Sequence, residues 1–174
     1  MKIGLVLSGG GIRGIAHIGL IKVLEDHNIK PDIVSGASAG ALVGALYAKG
    51  YSTETIIDFF HNTPLFRISF FAKNKPGLLD MEKYQTYFKE YFPEDSFESL
   101  EKQLYITATN LEDGRLDFFS SGELINPLLA SAALPPVFAP VLINDKLYVD
   151  GGIMNNFPVE PLENNCDFII SSFV

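Results

Sequence analysis

The chain alternates short apolar runs with longer segments in which apolar residues recur every three or four positions. Residues 2–8 form a run that predicts a buried strand. Residues 15–28 predict a helix, because their apolar positions fall on one helical face. The same alternation follows in residues 32–35 and 41–49. A strand, a tight turn and a helix, repeated twice, are typical of a parallel sheet covered by helices.

The rest of the chain predicts further helices and strands. Helices are predicted at residues 53–62 with Ser52 as N-cap, at 80–91, and from Asn126 as N-cap to about residue 133. Strands are predicted at residues 104–110, 115–120, 141–149 as a hairpin, and 167–174. A final strand buried in a parallel sheet needs helices over both faces, so we expect the natural polypeptide to continue beyond Val174.

Composition and charge narrow the classes of protein. A hydrophobic fraction of 47% with 20% charged residues excludes a disordered chain. The net charge of −8 argues against a nucleic-acid partner, which would require clustered Lys and Arg. Cys166 is the single cysteine, so no internal disulfide forms and a reducing compartment is permitted. No apolar run reaches the roughly 18 residues of a membrane helix. We therefore expect a single cytoplasmic domain over residues 1–174.

The strongest local motif is Gly36-x-Ser38-x-Gly40, between a predicted strand and a predicted helix. This is the pattern of a nucleophile elbow, in which small residues two positions away on either side let the turn close around an exposed serine. An ordinary tight turn with a serine N-cap would explain the same residues. The strand–turn–helix context favours the nucleophile.

A glycine-rich loop follows the first strand, with Gly9, Gly10, Gly11, Arg13 and Gly14 in succession. Its spacing fits a dinucleotide-binding loop, an oxyanion hole made of backbone amides, or a purely structural turn. A dinucleotide site needs an acidic residue at the end of the second strand, and the serine elbow occupies that place. Since two parallel strands deliver both motifs to one edge of a sheet, an oxyanion hole explains them together.

The general base that would activate Ser38 is less obvious. A triad in the order Ser–acid–His needs a histidine after its acid, late in the chain. The three histidines are His17, His27 and His61, and no histidine follows residue 61. Asp150, followed by Gly151 and Gly152, offers a carboxylate with little bulk beside it, which can deprotonate a serine directly. Taken alone, Asp-Gly is more often an ordinary turn.

In their order along the chain, the glycine-rich loop, the Gly-x-Ser-x-Gly elbow and the Asp-Gly-Gly motif resemble the patatin-like phospholipase family. The resemblance covers nearly the whole chain and extends to residues 107–110, 130–135 and 155–158. It implies a three-layer α/β/α fold with a mainly parallel central sheet.

The resemblance also implies how the site works. Ser38 would be the nucleophile and Asp150 the base of a Ser–Asp dyad, and the amides of Gly10 and Gly11, with Arg13 nearby, would bind the oxyanion. The substrate would be a lipid ester such as a phospholipid, a lysophospholipid or a glyceride. The dyad chemistry would require no metal and no cofactor. Bacterial members usually carry further helices at the C-terminus, which again suggests a truncated chain.

Two alternatives stay open. Residues 64–79 are basic and rich in phenylalanine in an otherwise acidic chain, which fits a lid or a transient contact with a membrane surface. The same phenylalanines could instead fold back into the core. The whole protein could also be a catalytically silent lipid-binding or regulatory module that keeps the fold, although the intact Ser38 and Asp150 argue against this.

Overall fold

The structure is a computed structural model that describes residues 1–63 and 84–174. Within these residues, seven strands form one sheet: β1 (Ile3–Leu7), β2 (Ile33–Ala37), β3 (Gln103–Asn110), β4 (Arg115–Phe119), β5 (Val141–Ile143), β6 (Lys146–Asp150) and β7 (Phe168–Ser172). The α-helices described are α1 (Ala16–Asp26), α2 (Ala39–Ala48), α3 (Thr53–Asn62), α4 (Gln85–Tyr91), α5 (Ile125–Ser131) and α6 (Glu160–Glu163). Short 3-10 turns lie at Gly11–Ile15, Phe97–Ser99 and Gly151–Ile153.

The centre of the sheet is parallel. Strands β7, β1, β2 and β3 lie side by side in that order and run in the same direction. Strands β4 and β6 pair antiparallel with β3, and β5 closes a hairpin with β6. This arrangement confirms the predicted α/β class with a mainly parallel sheet.

Helices cover both faces of the sheet because successive strand residues point to opposite sides. Leu5 and Leu7 of β1 belong to the larger core, which also includes buried residues of α1, α2, α3 and α5. The intervening Val6 faces the other side, where it packs with Ile33 and with Leu162 of α6. The result is the three-layer order that the resemblance implied.

The register of the sheet brings two strand ends together. Thr107 of β3 pairs with Ala37 of β2 and also with β4, so β2 and β4 lie on opposite edges of β3. The next residue, Ala108, pairs with Asp150 of β6 and again with β4. Strand β6 therefore lies on the same edge as β2 and approaches it from the opposite direction. The elbow that follows β2 and the aspartate that ends β6 meet at this point.

Local patterns predicted several elements correctly. Helix α3 has the predicted bounds, and Ser52 is its N-cap, with its hydroxyl accepting a hydrogen bond from the amide of Thr55 at 3.3 Å. The predicted β5–β6 hairpin turns at Asn144 and Asp145, both with positive φ, as a tight turn between twisted strands requires.

Other expectations need correction. Asn126 is not the N-cap of α5, because the helix already begins at Ile125. The carboxylate of Asp95, which is distant in sequence, accepts hydrogen bonds from the amides of Leu124 at 3.1 Å and Ile125 at 2.7 Å. Strand β7 pairs with β1, and its residues are exposed or half-buried, so the final strand is not the buried one we expected.

The segment 64–79, with its predicted membrane contact, lies outside the described residues, as does the start of the helix predicted at 80–91. Among the residues that the structure describes, no helix has the length and the apolar character needed to span a lipid bilayer.

Candidate active site

Ser38 sits on a strained turn between β2 and α2. Its backbone angles are φ 52° and ψ −124°, in a region that side-chain-bearing residues rarely adopt. Two glycines make the turn sterically possible. A methyl group at Gly36 would lie 2.6 Å from the carbonyl carbon of Gly40, and one at Gly40 would lie 2.5 Å from the carbonyl oxygen of Ser8. Since strain of this kind collects at functional sites, the elbow predicted from the sequence is a credible nucleophile position.

The side chains of Ser38 and Asp150 are in direct contact. The Ser38 hydroxyl donates a hydrogen bond to Oδ2 of Asp150 at 2.6 Å. The other carboxylate oxygen, Oδ1, accepts a hydrogen bond from the amide of Gly152 at 2.7 Å. Asp150 is only 3% exposed, and this burial raises the pKa of its carboxyl, while the two hydrogen bonds partly oppose the rise. A carboxylate so placed can accept the serine proton.

The C-terminal end of α5 holds the backbone of both residues. The hydroxyl of Ser131, which is fully buried, accepts a hydrogen bond from the amide of Ser38 at 2.8 Å. Two residues later, the carbonyl of Ala133 accepts a hydrogen bond from the amide of Asp150 at 3.0 Å. The backbones of Ser38 and Asp150 are thus fixed to one short segment.

The Asp-Gly-Gly turn is packed too closely for side chains. A methyl group at Gly151 would collide with the carbonyl oxygen and the hydroxyl of Thr107, and one at Gly152 would lie 2.6 Å from Oδ1 of Asn156. The two glycines therefore let the turn that follows Asp150 close against β3 and against the segment that contains Asn156.

The glycine-rich loop approaches Ser38 from β1. A methyl group at Gly9 would lie 3.1 Å from Cβ of Ser38. The amide of Gly9 donates a hydrogen bond to the carbonyl of Asn156 at 3.2 Å. The amides of Gly10 and Gly11, by contrast, donate no hydrogen bond to any residue in the described ranges. Both amides can therefore donate to an atom of a bound molecule.

Two other loop residues that the sequence analysis singled out have different surroundings. The Arg13 side chain is exposed, and it forms no ion pair with any residue in 1–63 or 84–174. Gly14 is buried, and a methyl group there would lie 2.5 Å from Cβ of Ala39. Gly14 therefore contributes close packing of the loop against the start of α2.

His17 anchors the start of the loop. Its imidazole is fully buried, with Nε2 2.8 Å from the carbonyl of Ser8 and Nδ1 2.8 Å from the hydroxyl of Ser172. Because a carbonyl can only accept, Nε2 carries the proton. Burial lowers the pKa of His17, which favours the neutral ring. The ring therefore joins the ends of β1 and β7, and within the described residues it forms no hydrogen bond with Ser38 or Asp150.

The other two histidines lie on the surface. His27 and His61 are exposed at the ends of α1 and α3. The described part of the chain contains no group of three His, Cys, Asp or Glu side chains that could hold a metal ion.

Sequence reasoning missed the contacts of Ser131, Asn156 and His17. The first two lie in stretches that carried the family resemblance, but no rule of spacing assigned them a contact. The sequence around His17 gives no sign of its hydrogen bond to Ser172.

Comparisons with known proteins agree with this architecture. The family model described as patatin-like phospholipase matches residues 5–163. The chain is 32% identical over 170 residues to lysophospholipase NTE1 of Yarrowia lipolytica, covering 92% of this chain and 12% of that protein. It is also 32% identical over 166 residues to lysophospholipase NTE1 of Saccharomyces cerevisiae, covering 90% and 10% respectively. The chain thus spans about a tenth of the length of these relatives.

Solved structures show the same fold. VipD from Legionella pneumophila superposes with a TM-score of 0.72 at 17% identity, covering 98% of this chain and 49% of that one. The type III effector protein ExoU superposes with a TM-score of 0.54 at 20% identity, covering 78% and 41%. With the family model matched over most of its length, the chain belongs to the patatin-like phospholipase family.

Proposed function

We propose that this protein is a serine acyl hydrolase that cleaves carboxylic esters of lipids through a Ser38–Asp150 dyad. The observation that carries the proposal is the 2.6 Å hydrogen bond from the Ser38 hydroxyl to the buried Asp150 carboxylate, on an elbow that faces the glycine-rich loop. A nucleophile, a base and backbone donors in one place are the requirements of acyl transfer.

The reaction has two steps. Oγ of Ser38 attacks the ester carbonyl carbon while its proton passes to Oδ2 of Asp150, which gives a tetrahedral intermediate. The intermediate expels the alcohol, which leaves with the proton from Asp150, and an acyl-serine remains. In the second step, Asp150 takes a proton from water, the resulting nucleophile attacks the acyl-serine, and the fatty acid is released as Ser38 recovers its proton.

The negative oxygen of each tetrahedral intermediate needs hydrogen-bond donors. We assign this role to the amides of Gly10 and Gly11, since the amide of Gly9 is already bonded to the Asn156 carbonyl. Removing one such donor typically slows an enzyme by about 100–1,000-fold. Arg13, exposed on the same loop, adds positive charge that would attract a substrate phosphate.

The proposed substrates are phospholipids and lysophospholipids. The family description names phospholipases, and the yeast relatives are named lysophospholipases. The segments that follow Ser131 and Asp150, two hydrogen-bond partners of Ser38, carry no charge: residues 132–140 and 151–159 contain no charged side chain. An apolar approach to the nucleophile suits an acyl chain. A peripheral position at a membrane surface is part of this proposal, because lipid substrates reside there.

The experiment is a lipid panel assayed with the wild type and with Ser38→Ala, together with labelling by a fluorophosphonate. We expect the wild type to release fatty acid and to be labelled once per chain, and Ser38→Ala to do neither. Labelling separates this proposal from a catalytically silent lipid-binding module, because only an activated serine reacts. Equal turnover by a clean Ser38→Ala preparation would refute the assignment of the nucleophile.

A further inference from the structure

Asn156 lies between the glycine-rich loop and the Asp-Gly-Gly turn. Its carbonyl accepts a hydrogen bond from the amide of Gly9 at 3.2 Å, and its side-chain Nδ2 donates one to the carbonyl of Gly9, also at 3.2 Å. Its side-chain oxygen stands where a methyl group on Gly9 or on Gly152 would be. One residue therefore contacts both halves of the site.

The two hydrogen bonds fix Gly9 at both of its polar groups. Gly9 has no side chain to restrict its backbone, so the loop would otherwise sample many conformations. Asn156 holds the donor of Gly9 and shares its acceptor with the Ser8 hydroxyl, which donates to the Gly9 carbonyl at 3.0 Å. These contacts together set the direction in which the chain leaves Gly9. The next two residues are Gly10 and Gly11, whose amides have no acceptor among the described residues.

Asn156 also lies against the turn that positions the base. The amide of Gly152 donates to Oδ1 of Asp150, and Gly152 leaves room for the side chain of Asn156. A displacement of Asn156 would therefore alter both the oxyanion donors and the contact that orients the carboxylate.

We propose that Asn156 is a positioning residue that holds the Gly10 and Gly11 amides at a fixed distance from the Ser38–Asp150 dyad. This inference rests on the proposed acyl hydrolase function. No hydrogen bond joins Asn156 to Ser38 within the described residues, and the proposed effect of Asn156 passes through Gly9 and Gly152. Its effect falls on the transition state, because the oxyanion forms only when Ser38 attacks.

Asn155 provides a matched control. Its side chain belongs to the same loop, where Nδ2 donates to Glu160 at 2.6 Å and Oδ1 accepts from the amide of Phe157 at 2.9 Å. Asn155→Ala thus removes two hydrogen bonds from the loop without touching Gly9. A merely structural role for this segment would make the two alanine variants behave alike.

The first experiment measures hydrolysis of a p-nitrophenyl ester. We expect Asn156→Ala to lower kcat by about 10–100-fold with KM within about twofold, since a misplacement of about 1 Å at a reacting centre costs up to roughly 100-fold. We expect Asn155→Ala to keep kcat within about twofold. Titration with a fluorophosphonate should still label each Asn156→Ala chain once, only more slowly. A kcat within twofold of the wild type, or equal losses in both variants, would overturn the proposal.

Asn156→Asp tests the same contact by charge. The replacement puts an oxygen where Nδ2 faces the Gly9 carbonyl, and it adds a negative charge beside the Asp-Gly-Gly turn. We expect kcat to fall as in Asn156→Ala, and the acid limb of the pH–rate profile to move to higher pH, because a neighbouring carboxylate raises the pKa of Asp150. An unchanged limb would show that Asn156 is not coupled to the base.

The second experiment does not depend on turnover. Amide hydrogen exchange of residues 8–14 is followed by mass spectrometry in Ser38→Ala, alone and combined with each asparagine variant. We expect faster exchange with Asn156→Ala and none of this acceleration with Asn155→Ala. If the wild type neither hydrolyses esters nor reacts with the fluorophosphonate, the proposed function fails. Faster exchange with Asn156→Ala alone would still support the inference that Asn156 holds Gly9 in place. Unchanged exchange in both combinations would refute that inference.

Discussion

Ala37 and Asp150 pair with consecutive residues of β3, Thr107 and Ala108, although they belong to strands that run in opposite directions. Both residues lie on the same edge of β3. Ser38, the residue after Ala37, is therefore close enough to donate a hydrogen bond to the Asp150 side chain, at 2.6 Å. A slip of one residue in either pairing would turn a side chain to the other face of the sheet. The register of β3 therefore determines how Ser38 and Asp150 meet, and substitutions that disturb this register should affect the proposed activity before they unfold the chain.

The buried Asp150 carboxylate should set the pH dependence of catalysis. A general base works only when ionised, and burial raises the pKa of Asp150 from the ordinary value of 3.8. We expect kcat/KM for a p-nitrophenyl ester to fall with acidification, with a midpoint above 3.8. Asp150→Asn should lower kcat by about 100–10,000-fold at neutral pH. A rate that stays level down to pH 4, or an active Asp150→Asn protein, would contradict the assignment of the base.

The same carboxylate should reduce the stability of the folded protein. A carboxyl whose pKa is higher in the folded than in the unfolded state binds its proton more tightly when folded. Ionising it costs free energy of folding, and the cost grows as pH rises through the two pKa values and is full above both. Asp150→Asn should therefore have a higher Tm than the wild type at pH 7, and the difference should shrink towards pH 4. Thermal unfolding between pH 4 and pH 7 measures the sign of this Tm difference. A lower Tm for Asp150→Asn than for the wild type at pH 7 would contradict the prediction.

Gly40 should tolerate no side chain, whereas Gly19 in the neighbouring helix α1 should tolerate one. A methyl group at Gly40 would overlap the carbonyl oxygens of Leu7 and Ser8. We expect Gly40→Ala to destabilise the protein by about 1–3 kcal/mol or more and to abolish hydrolysis. Gly19 lies in α1, and a methyl group added there would meet no atom within 4 Å outside the backbone of the helix itself, so Gly19→Ala should stabilise by about 0.5–1 kcal/mol. Urea denaturation measures the free energy of unfolding of both variants. Equal values for the two variants would contradict the prediction.

The sequence predicted those parts of the fold and the site that depend on neighbours along the chain. Apolar runs located the strands, and the small residues around Ser38 located the elbow, because both signals are local. The contacts that complete the site join residues far apart. Ser131 and Ser38 are separated by 93 positions, and Asn156 and Gly9 by 147. No periodicity records which remote polar groups meet once the sheet has formed.

The same limit explains the error at the start of α5. Asn126 has the right chemistry for an N-cap and precedes a proline, so the local pattern favoured it. The carboxylate of Asp95 reaches the amides of Leu124 and Ile125 from another segment, and the helix starts two residues earlier than predicted, with Leu124 as its N-cap. A cap supplied across the fold cannot be found by scanning a window of the sequence.

Ser131 should matter because its hydroxyl accepts the hydrogen bond of the Ser38 amide, next to the proposed nucleophile. Ser131→Ala leaves the Ser38 amide without its acceptor in a buried place, which costs about 1–3 kcal/mol. We expect kcat to fall with it, since the amide orients the elbow. Ser35 is the matched control, because its buried hydroxyl has no hydrogen-bond partner within residues 1–63 and 84–174. Ser35→Ala should change the free energy of unfolding by no more than about 0.5 kcal/mol. If both variants lose the same free energy of unfolding, the hydrogen bond from Ser38 to Ser131 has no effect of its own on stability.

His17 should stabilise the fold in a pH-dependent way. Its neutral ring joins Ser8 to Ser172, and burial lowers the pKa of the ring below its ordinary value of 6.5. A histidine with a lower pKa in the folded state contributes stability that is complete above pH 6.5 and is lost as pH falls through the folded pKa. We expect His17→Gln to lose about 1–3 kcal/mol at pH 8, and the gap to the wild type to narrow on acidification.

His27 supplies the comparison for this variant, because it is exposed on the same helix and contacts only the carbonyl of Val23 within the described residues. His27→Gln should change the free energy of unfolding by less than about 0.5 kcal/mol at pH 8. Denaturant titrations at several pH values measure both proteins. A gap between the wild type and His17→Gln that stays constant with pH would mean that the bridge contributes packing alone, since a titrating ring must make the gap depend on pH.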